Sequence, residues 1–322
     1  MFTPPEADLE IIKKDYDYIV RTIQAGRAHE LSEGDTMYLG ACTKGATAEK
    51  STVPQYYGEK IPARKRAFCF KNSYMTYVLN HYIAGKTSDN SILKDANLLK
   101  EKTFEEILED IVQEYIGKSD KELCELFGRE YNNNKAQWND LACKILGIRD
   151  EHADEFEKAN IKVKTIRIEE NNSMRESMSF PPFKFMDLID EEYDDSTLHD
   201  YFDETRLFFL VWKRDGDVYR VKGCQLWNMS HFDLEVTVRK EWEKYKHIIK
   251  YGIEFTKCID SSGKISFKNN LPNKKDTEII HVRPHATKAA YRFNNGEEYG
   301  NVERDANIVA KWRVYDNTKF LD

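Results

Sequence analysis

The sequence predicts an α+β fold in which a helical first part gives way to strands. Three observations lead there. Apolar residues recur at steps of three and four through most of the first 147 residues; a β-branched run alternates from Ile161 to Ile168; and the apolar stretch Leu207 to Trp212 is joined through Asp215-Gly216-Asp217 to a second run, Val218 to Asn228. The first pattern presents one stripe of a helix to a core, the second sends successive side chains to opposite faces of a sheet, and the third is a hairpin.

Taken in order, Leu9, Ile12, Tyr16, Ile19 and Ile23 mark the first helix, and Gly26 follows as its stop. From Gly34 to Pro62 the chain is rich in Gly, Thr, Ser, Lys and Pro, which predicts a long structured loop. Ser32-Glu33-Gly34-Asp35 and Cys42-Thr43-Lys44-Gly45 are its distinctive pieces. Helical patterns then run from Arg66 to Ile83, Phe104 to Tyr115, Asp120 to Phe127 and Ala136 to Leu146. Strands are expected at Ile161 to Ile168, at Met174 to Phe180 after a turn-like Glu169 to Ser173, and in the hairpin, whose first arm reads as a buried central strand. Asp187 to Glu204 holds nine acids and no Lys or Arg, the composition of a solvated connector. Phe232 to Tyr251 is a basic helix, and Ile279 to Pro284 a short strand ended by proline.

At roughly 100–200 residues per domain, 322 residues suggest two domains, and 40% hydrophobic content is enough for real cores. With 33% charged residues and a mean hydropathy of -0.70, no stretch approaches a membrane span. The start, Met1 to Glu10, has three acids and no base and lacks the basic and apolar regions of a secretory signal, so a cytoplasmic location is expected. Six cysteines lie far apart with no C-x-x-C pair, and reduced thiols are the expectation. The net charge of -7 disguises an asymmetry: residues 236–322 carry 17 Lys/Arg against 12 Asp/Glu, or +5, and the rest carries -12. The C-terminal quarter could therefore face phosphate.

Several motifs in order carry a family resemblance: Ala28-His29-Glu30-Leu31-Ser32-Glu33-Gly34, Cys42-Thr43-Lys44-Gly45, Asn160 to Ile166 after a helix ending in Leu146-Gly147, Glu176-Ser177-Met178-Ser179-Phe180, Glu204-Thr205-Arg206, and His281-Val282-Arg283-Pro284-His285. Together they resemble the MutH mismatch-repair endonuclease family and its GATC-cutting Sau-three-A type II restriction relatives, in particular the C-terminal, DNA-binding one of two MutH-like domains. The resemblance implies a restriction-endonuclease-like fold of the PD-D/ExK, MutH type: a mixed sheet flanked by helices and preceded by a helical region. On that reading residues 1–117 are the helical N-terminal region or linker, and residues 118–322 are the MutH-like DNA-binding domain.

Nucleases of this type hold Mg2+ with an Asp and a Glu and place a Lys two residues after the Glu, on the same face of a strand. By the resemblance, Lys164 is that lysine, Lys162 stands where the Glu belongs, Glu155 is nearest to the Asp, and Cys143 takes the place of an additional helix Glu. An ammonium cannot coordinate Mg2+, so the motif reads as degenerate, with no metal or other cofactor for this chain alone. Lys162 and Lys164 together suit a phosphate, or else a solvated strand edge. Arg283-Pro284-His285 corresponds to the family's Arg-Pro-Lys at the DNA, where a proline fixes the backbone between two donors. From spacing alone it reads as a strand end with a structural ion pair. Lys288, Arg292, Lys311 and Tyr315 extend the basic, aromatic-interleaved run.

The leading expectation is sequence-specific binding of double-stranded DNA as the regulatory half of a restriction endonuclease, with a MutH-like catalytic domain or chain as partner and no membrane. A Mg2+-dependent nuclease, recruiting Asp154, Glu155, Glu157, Glu169 or Glu176, is the enzymatic alternative. A helical protein-interaction module without DNA affinity is the third.

Overall fold

The computed structural model describes residues 3–44, 51–132, 134–174, 177–263, 265–284, 290–292, 298–300 and 308–312. The chain forms two units: the first runs to residue 175 and takes up residues 201–231, and the second comprises residues 176–200 and the described chain from residue 232.

The first unit opens with α1 (Glu6–Gln24), which buries Ile11, Asp15 and Ile19 at four-residue steps. It ends where Gly26 adopts φ 73 and approaches Gly58; a β-carbon on Gly26 would lie 2.8 Å from the Gly58 Cα. The expected loop contains strands. β1 (Leu39–Thr43) and β2 (Thr52–Pro54) lie within it, and β3 (Pro62–Arg64) closes a ladder with β2. β4 (Arg66–Phe70) pairs antiparallel with β1 over five residues, so the helix expected from Arg66 begins only at α2 (Asn72–Tyr77). Pairing with a distant strand overrides local helical spacing here.

α3 (Leu98–Glu101) leads to α4 (Phe104–Gln113) and α5 (Asp120–Leu126), which start at capping boxes, Thr103 with Glu106 and Ser119 with Glu122. α6 (Lys135–Ile145) is capped by Asn134, whose side chain accepts from the Gln137 N–H. α7 (Asp154–Ala159) runs directly into β5 (Ile161–Ile168). β6 (Met178–Phe183), α8 (Phe185–Asp190) and α9 (Thr197–Glu204) come before β7 (Arg206–Asp215) and β8 (Val218–Trp227), the expected hairpin. β5 pairs parallel with β7 and β7 antiparallel with β8, which makes a mixed sheet in an α+β fold. One core joins Ile11 of α1, Leu108 of α4, Trp138 and Leu141 of α6, Val163 of β5 and Phe208, Leu210 and Trp212 of β7.

A buried ion pair ties the two ends of this segment together. Lys158 Nζ lies 2.7 Å from Asp8 Oδ1, and the other Asp8 oxygen accepts from Tyr74 Oη at 3.2 Å and Tyr82 Oη at 3.0 Å. The ammonium also sits 4.7 Å from the Tyr77 ring centroid, so the cation has both a counter-ion and a π face.

The second unit contains β6 and α8, then α10 (Arg239–Tyr251), preceded by a π-helical turn at Asp233–Val238. β9 (Phe255–Ile259) and β10 (Ile265–Asn269) form a hairpin. β11 (Ile280–Pro284), β12 (Ala290–Arg292), β13 (Glu298–Gly300) and β14 (Ile308–Trp312) complete the described chain, with β14 between β11 and β6 in an antiparallel sheet. The acidic connector is not a plain solvated link: it holds two helices and a network of ion pairs described below. Among the described residues no helix is long and apolar enough to cross a membrane.

Candidate functional site

The local sequence explains how β5 is placed. Asn160 closes α7 in the left-handed conformation, φ 52 and ψ 46, which asparagine tolerates better than most residues. Its Nδ2 donates to Thr205 Oγ1 at 3.1 Å and Ile161 pairs with Arg206, so the strand leaves the helix in fixed register with β7. Ile161 and Val163 face the core; Lys162 and Lys164 occupy the alternate positions, the first exposed and the second half-buried. Burial holds the Lys164 ammonium below the ordinary lysine range; Lys135 pushes the same way, Glu151 opposes and Lys162 adds to the depression. Beside Lys162 lies a cleft of about 400 Å³ whose walls include Ser73, Tyr77, Asn80, Glu151 and Glu157. Glu157 is already engaged there, with its Oε1 3.2 Å from His152 Nδ1.

Glu155 does not join the lysines. It is 4% exposed, and its carboxylate accepts from Ser91 Oγ at 2.6 Å, the Ile92 N–H at 2.9 Å and the Leu93 N–H at 3.2 Å. Three donors on one buried carboxylate make it the clamp of a loop more than sixty residues earlier in the chain. Cys143 is buried in α6, where burial and the charges of Glu151, Asp140 and Asp150 push its thiol up to about 11. Such a thiol is neutral and inert at neutral pH.

The strand carrying Arg283 and Pro284 is anchored by α10. The Glu241 carboxylate, 7% exposed, accepts from the N–H groups of Glu278, Ile279 and Ile280, the last at 2.7 Å. One turn on, Tyr245 Oη donates to the Pro272 carbonyl at 2.6 Å and accepts from the Val282 N–H at 3.2 Å. Register sets Arg283 opposite Val309 and Lys311 opposite His281, so the two basic residues lie at positions two apart along paired strands. Arg292 pairs with Glu298 in the β12–β13 ladder. His285, Lys288, Tyr315 and Glu176 lie outside the described residues.

Sequence reasoning missed the ion-pair network of the second unit. Arg239 Nη2 lies 2.6 Å from both Asp194 and Glu235, and His199 Nε2 lies 2.9 Å from Glu235. The signal was present but spread: Asp194 sits in the connector, Glu235 in the turn before α10, and their arginine at the start of α10, 45 residues on from Asp194. Among the described residues, the groups of three or more side chains close enough to share an ion are Asp194–His199–Glu235 and Glu33–Cys42–Cys69. Neither includes a residue of the Lys162–Lys164 neighbourhood.

No family model matches the chain. Over 302 residues it is 38% identical to the type II restriction enzyme Sau3AI of Staphylococcus aureus, a match covering 88% of this chain. The chain spans 61% of the length of that relative. The chain is thus similar, over nearly all of its own length, to a type II restriction enzyme.

Proposed function

We propose that the chain binds double-stranded DNA sequence-specifically, at GATC, as the regulatory half of a restriction endonuclease of the MutH type, and does not cut DNA by itself. The observation that carries this reading is β5: where a cutting site needs a carboxylate and a lysine on one face, Lys162 and Lys164 stand there instead. These residues do not fit Mg2+. The ion takes oxygen ligands, two ammonium groups repel it, and the carboxylate of Glu155 is already committed to Ser91, Ile92 and Leu93. What Lys162 and Lys164 can do is hold a phosphate as point charges, while Arg283 on the anchored strand β11 donates to a base edge or phosphate.

In this reading residues 118–322 bear the DNA contacts, and residues 1–117 meet a MutH-like catalytic domain or chain. Binding a second site then biases the catalytic partner, as coupling between two sites requires. The direct test is a mobility-shift comparison of GATC and scrambled duplexes, with and without Mg2+, scored for binding and nicking. Specific binding without nicking is expected. Equal affinity for both duplexes overturns the specificity, and specific cutting overturns the regulatory assignment. Adding the chain to a separately purified catalytic half then tests regulation: an unchanged cleavage rate on two-site DNA refutes it.

A further inference from the structure

The paired strands β1 and β4 bring two cysteines together. Gly40 lies opposite Cys69 and Cys42 opposite Ala67, so Cys42 and Cys69 occupy diagonal positions on one face of the ladder. Gly40 packs against the second thiol: a β-carbon there would stand 3.5 Å from Cys69 Sγ, in ordinary contact. Glu33 reaches the same place from the short 3₁₀ turn Glu33–Asp35, and the ligand atoms of Glu33, Cys42 and Cys69 all lie within 4.8 Å of one another. That turn is fixed. The Ser32 N–H donates to Asp35 Oδ2 at 2.8 Å, Asn228 Nδ2 donates to Asp35 Oδ1 at 2.8 Å, and a β-carbon on Gly34 would meet Asn228 Cβ at 3.0 Å.

We propose that Glu33, Cys42 and Cys69 form a zinc site with three protein ligands and a fourth position for water. Two thiolates and one carboxylate are a donor set suited to Zn2+ and unsuited to Mg2+ or Ca2+, which take oxygen ligands. At a Zn–S length of about 2.3 Å, tetrahedral geometry sets the two sulfurs about 3.8 Å apart, within the spacing this face provides. A disulfide would need the β-carbons about 3.5–4.5 Å apart, closer than diagonal positions of a ladder ordinarily stand. On binding, each thiol loses its proton to solvent, and the two thiolates and carboxylate leave the complex with one net negative charge. The half-buried Arg66 and the buried Lys71, both attracted to Glu33, offset it.

Burial, the hydrogen bond with Cys42 and the charge of Glu33 push the Cys69 thiol up to about 12, and burial with Asp203 and Glu204 raises the Glu33 carboxyl. A cation relieves this. A two-stranded ladder is marginal by itself, so the ion also gives β1 and β4 a clamp that their five residue pairs alone do not supply.

The experiment uses the full chain, purified without chelator and measured for zinc by elemental mass spectrometry, then reloaded with Co2+ as a spectroscopic probe. One equivalent of zinc is expected, together with the thiolate-to-cobalt charge-transfer band. Cys42→Ser and Cys69→Ser abolish the band and Cys224→Ser keeps it. Glu33→Gln retains both sulfurs and the band, and weakens zinc binding by at least the tenfold or so that even loss of an outer partner costs. Zinc content indistinguishable from that of the Cys42→Ser, Cys69→Ser double variant overturns the proposal. So does the loss of two titratable thiols without bound metal, which identifies a disulfide instead.

Discussion

Replacing Glu241 by Ala should cripple DNA reading from a distance. The Glu241 carboxylate is the acceptor for the N–H groups that begin β11, and Ile279 and Ile280 are each 1% exposed. Removing it leaves two buried donors unsatisfied at about 1–3 kcal/mol apiece, a total of about 2–6 kcal/mol. Glu278 is exposed, so its N–H can turn to water and adds little. Glu241→Gln keeps one acceptor oxygen and should lose only about 1–2 kcal/mol, the difference between a charged and a neutral acceptor. Urea denaturation followed by tryptophan fluorescence measures both losses, with Trp242 next to the substitution. Under conditions where the alanine variant remains folded, its discrimination between GATC and scrambled duplexes should fall, because Arg283 lies three residues beyond the last N–H that Glu241 holds. A stability change within about 0.5 kcal/mol, the range of an indifferent surface substitution, refutes the anchoring role. A destabilised variant with undiminished discrimination refutes the link to DNA.

Arg283→Ala should cost about 1–3 kcal/mol on the GATC duplex and little on a scrambled one, whereas Lys288→Ala should weaken all duplexes alike and lower the salt slope by about one. Equal losses for Arg283→Ala on both duplexes would make it a phosphate contact. Because Lys164 is held below the ordinary lysine range, its charge disappears on raising pH before that of exposed lysines, and duplex affinity should fall in the same interval. The unfolded chain binds more protons across that interval, so the stability contribution of Lys164 runs the opposite way and rises with pH. Lys164→Arg should remove the early fall in affinity, and an unaltered pH profile would refute the assignment. Glu155→Ala should destabilise the first unit by about 1–3 kcal/mol through the stranded, buried Ile92 donor, the half-buried Leu93 adding less, and a melting temperature equal to that of the parent would show that the loop needs no clamp.

The parts of the fold legible in the sequence are those whose cause is local. Thr103 with Glu106 and Ser119 with Glu122 announce α4 and α5 three residues into each helix, and the alternation of Ile161 to Ile168 fixes β5 together with the faces of Lys162 and Lys164. The hairpin likewise follows from its turn. What escaped depends on partners far along the chain. Arg66 to Phe70 carry helix-like spacing but meet Leu39 to Thr43 as a strand, and the connector reads as solvated until Arg239 is brought to Asp194 and Glu235. The site divides along the same line: the placement of Lys162 and Lys164 at alternate positions of β5 is visible in the order of its residues. The commitment of Glu155 to residues 91–93, the anchoring of β11 by Glu241 and the meeting of Glu33 with two cysteines emerge only when the chain is folded.

The pair between Asp8 and Lys158 has a consequence for biosynthesis. The two residues are 150 positions apart, so when α1 emerges from the ribosome its inward-facing acid has no counter-ion, and Tyr74 and Tyr82 arrive long before the lysine does. At synthesis rates of about 5–20 residues per second, the wait is about 8–30 s. During that time the Asp8 carboxylate is without its cation, and the core that contains Ile11 still lacks its later members Val163, Phe208 and Leu210. A nascent chain stalled before residue 158 should therefore be a chaperone client, and one extended far enough to free β5 from the exit tunnel should be released.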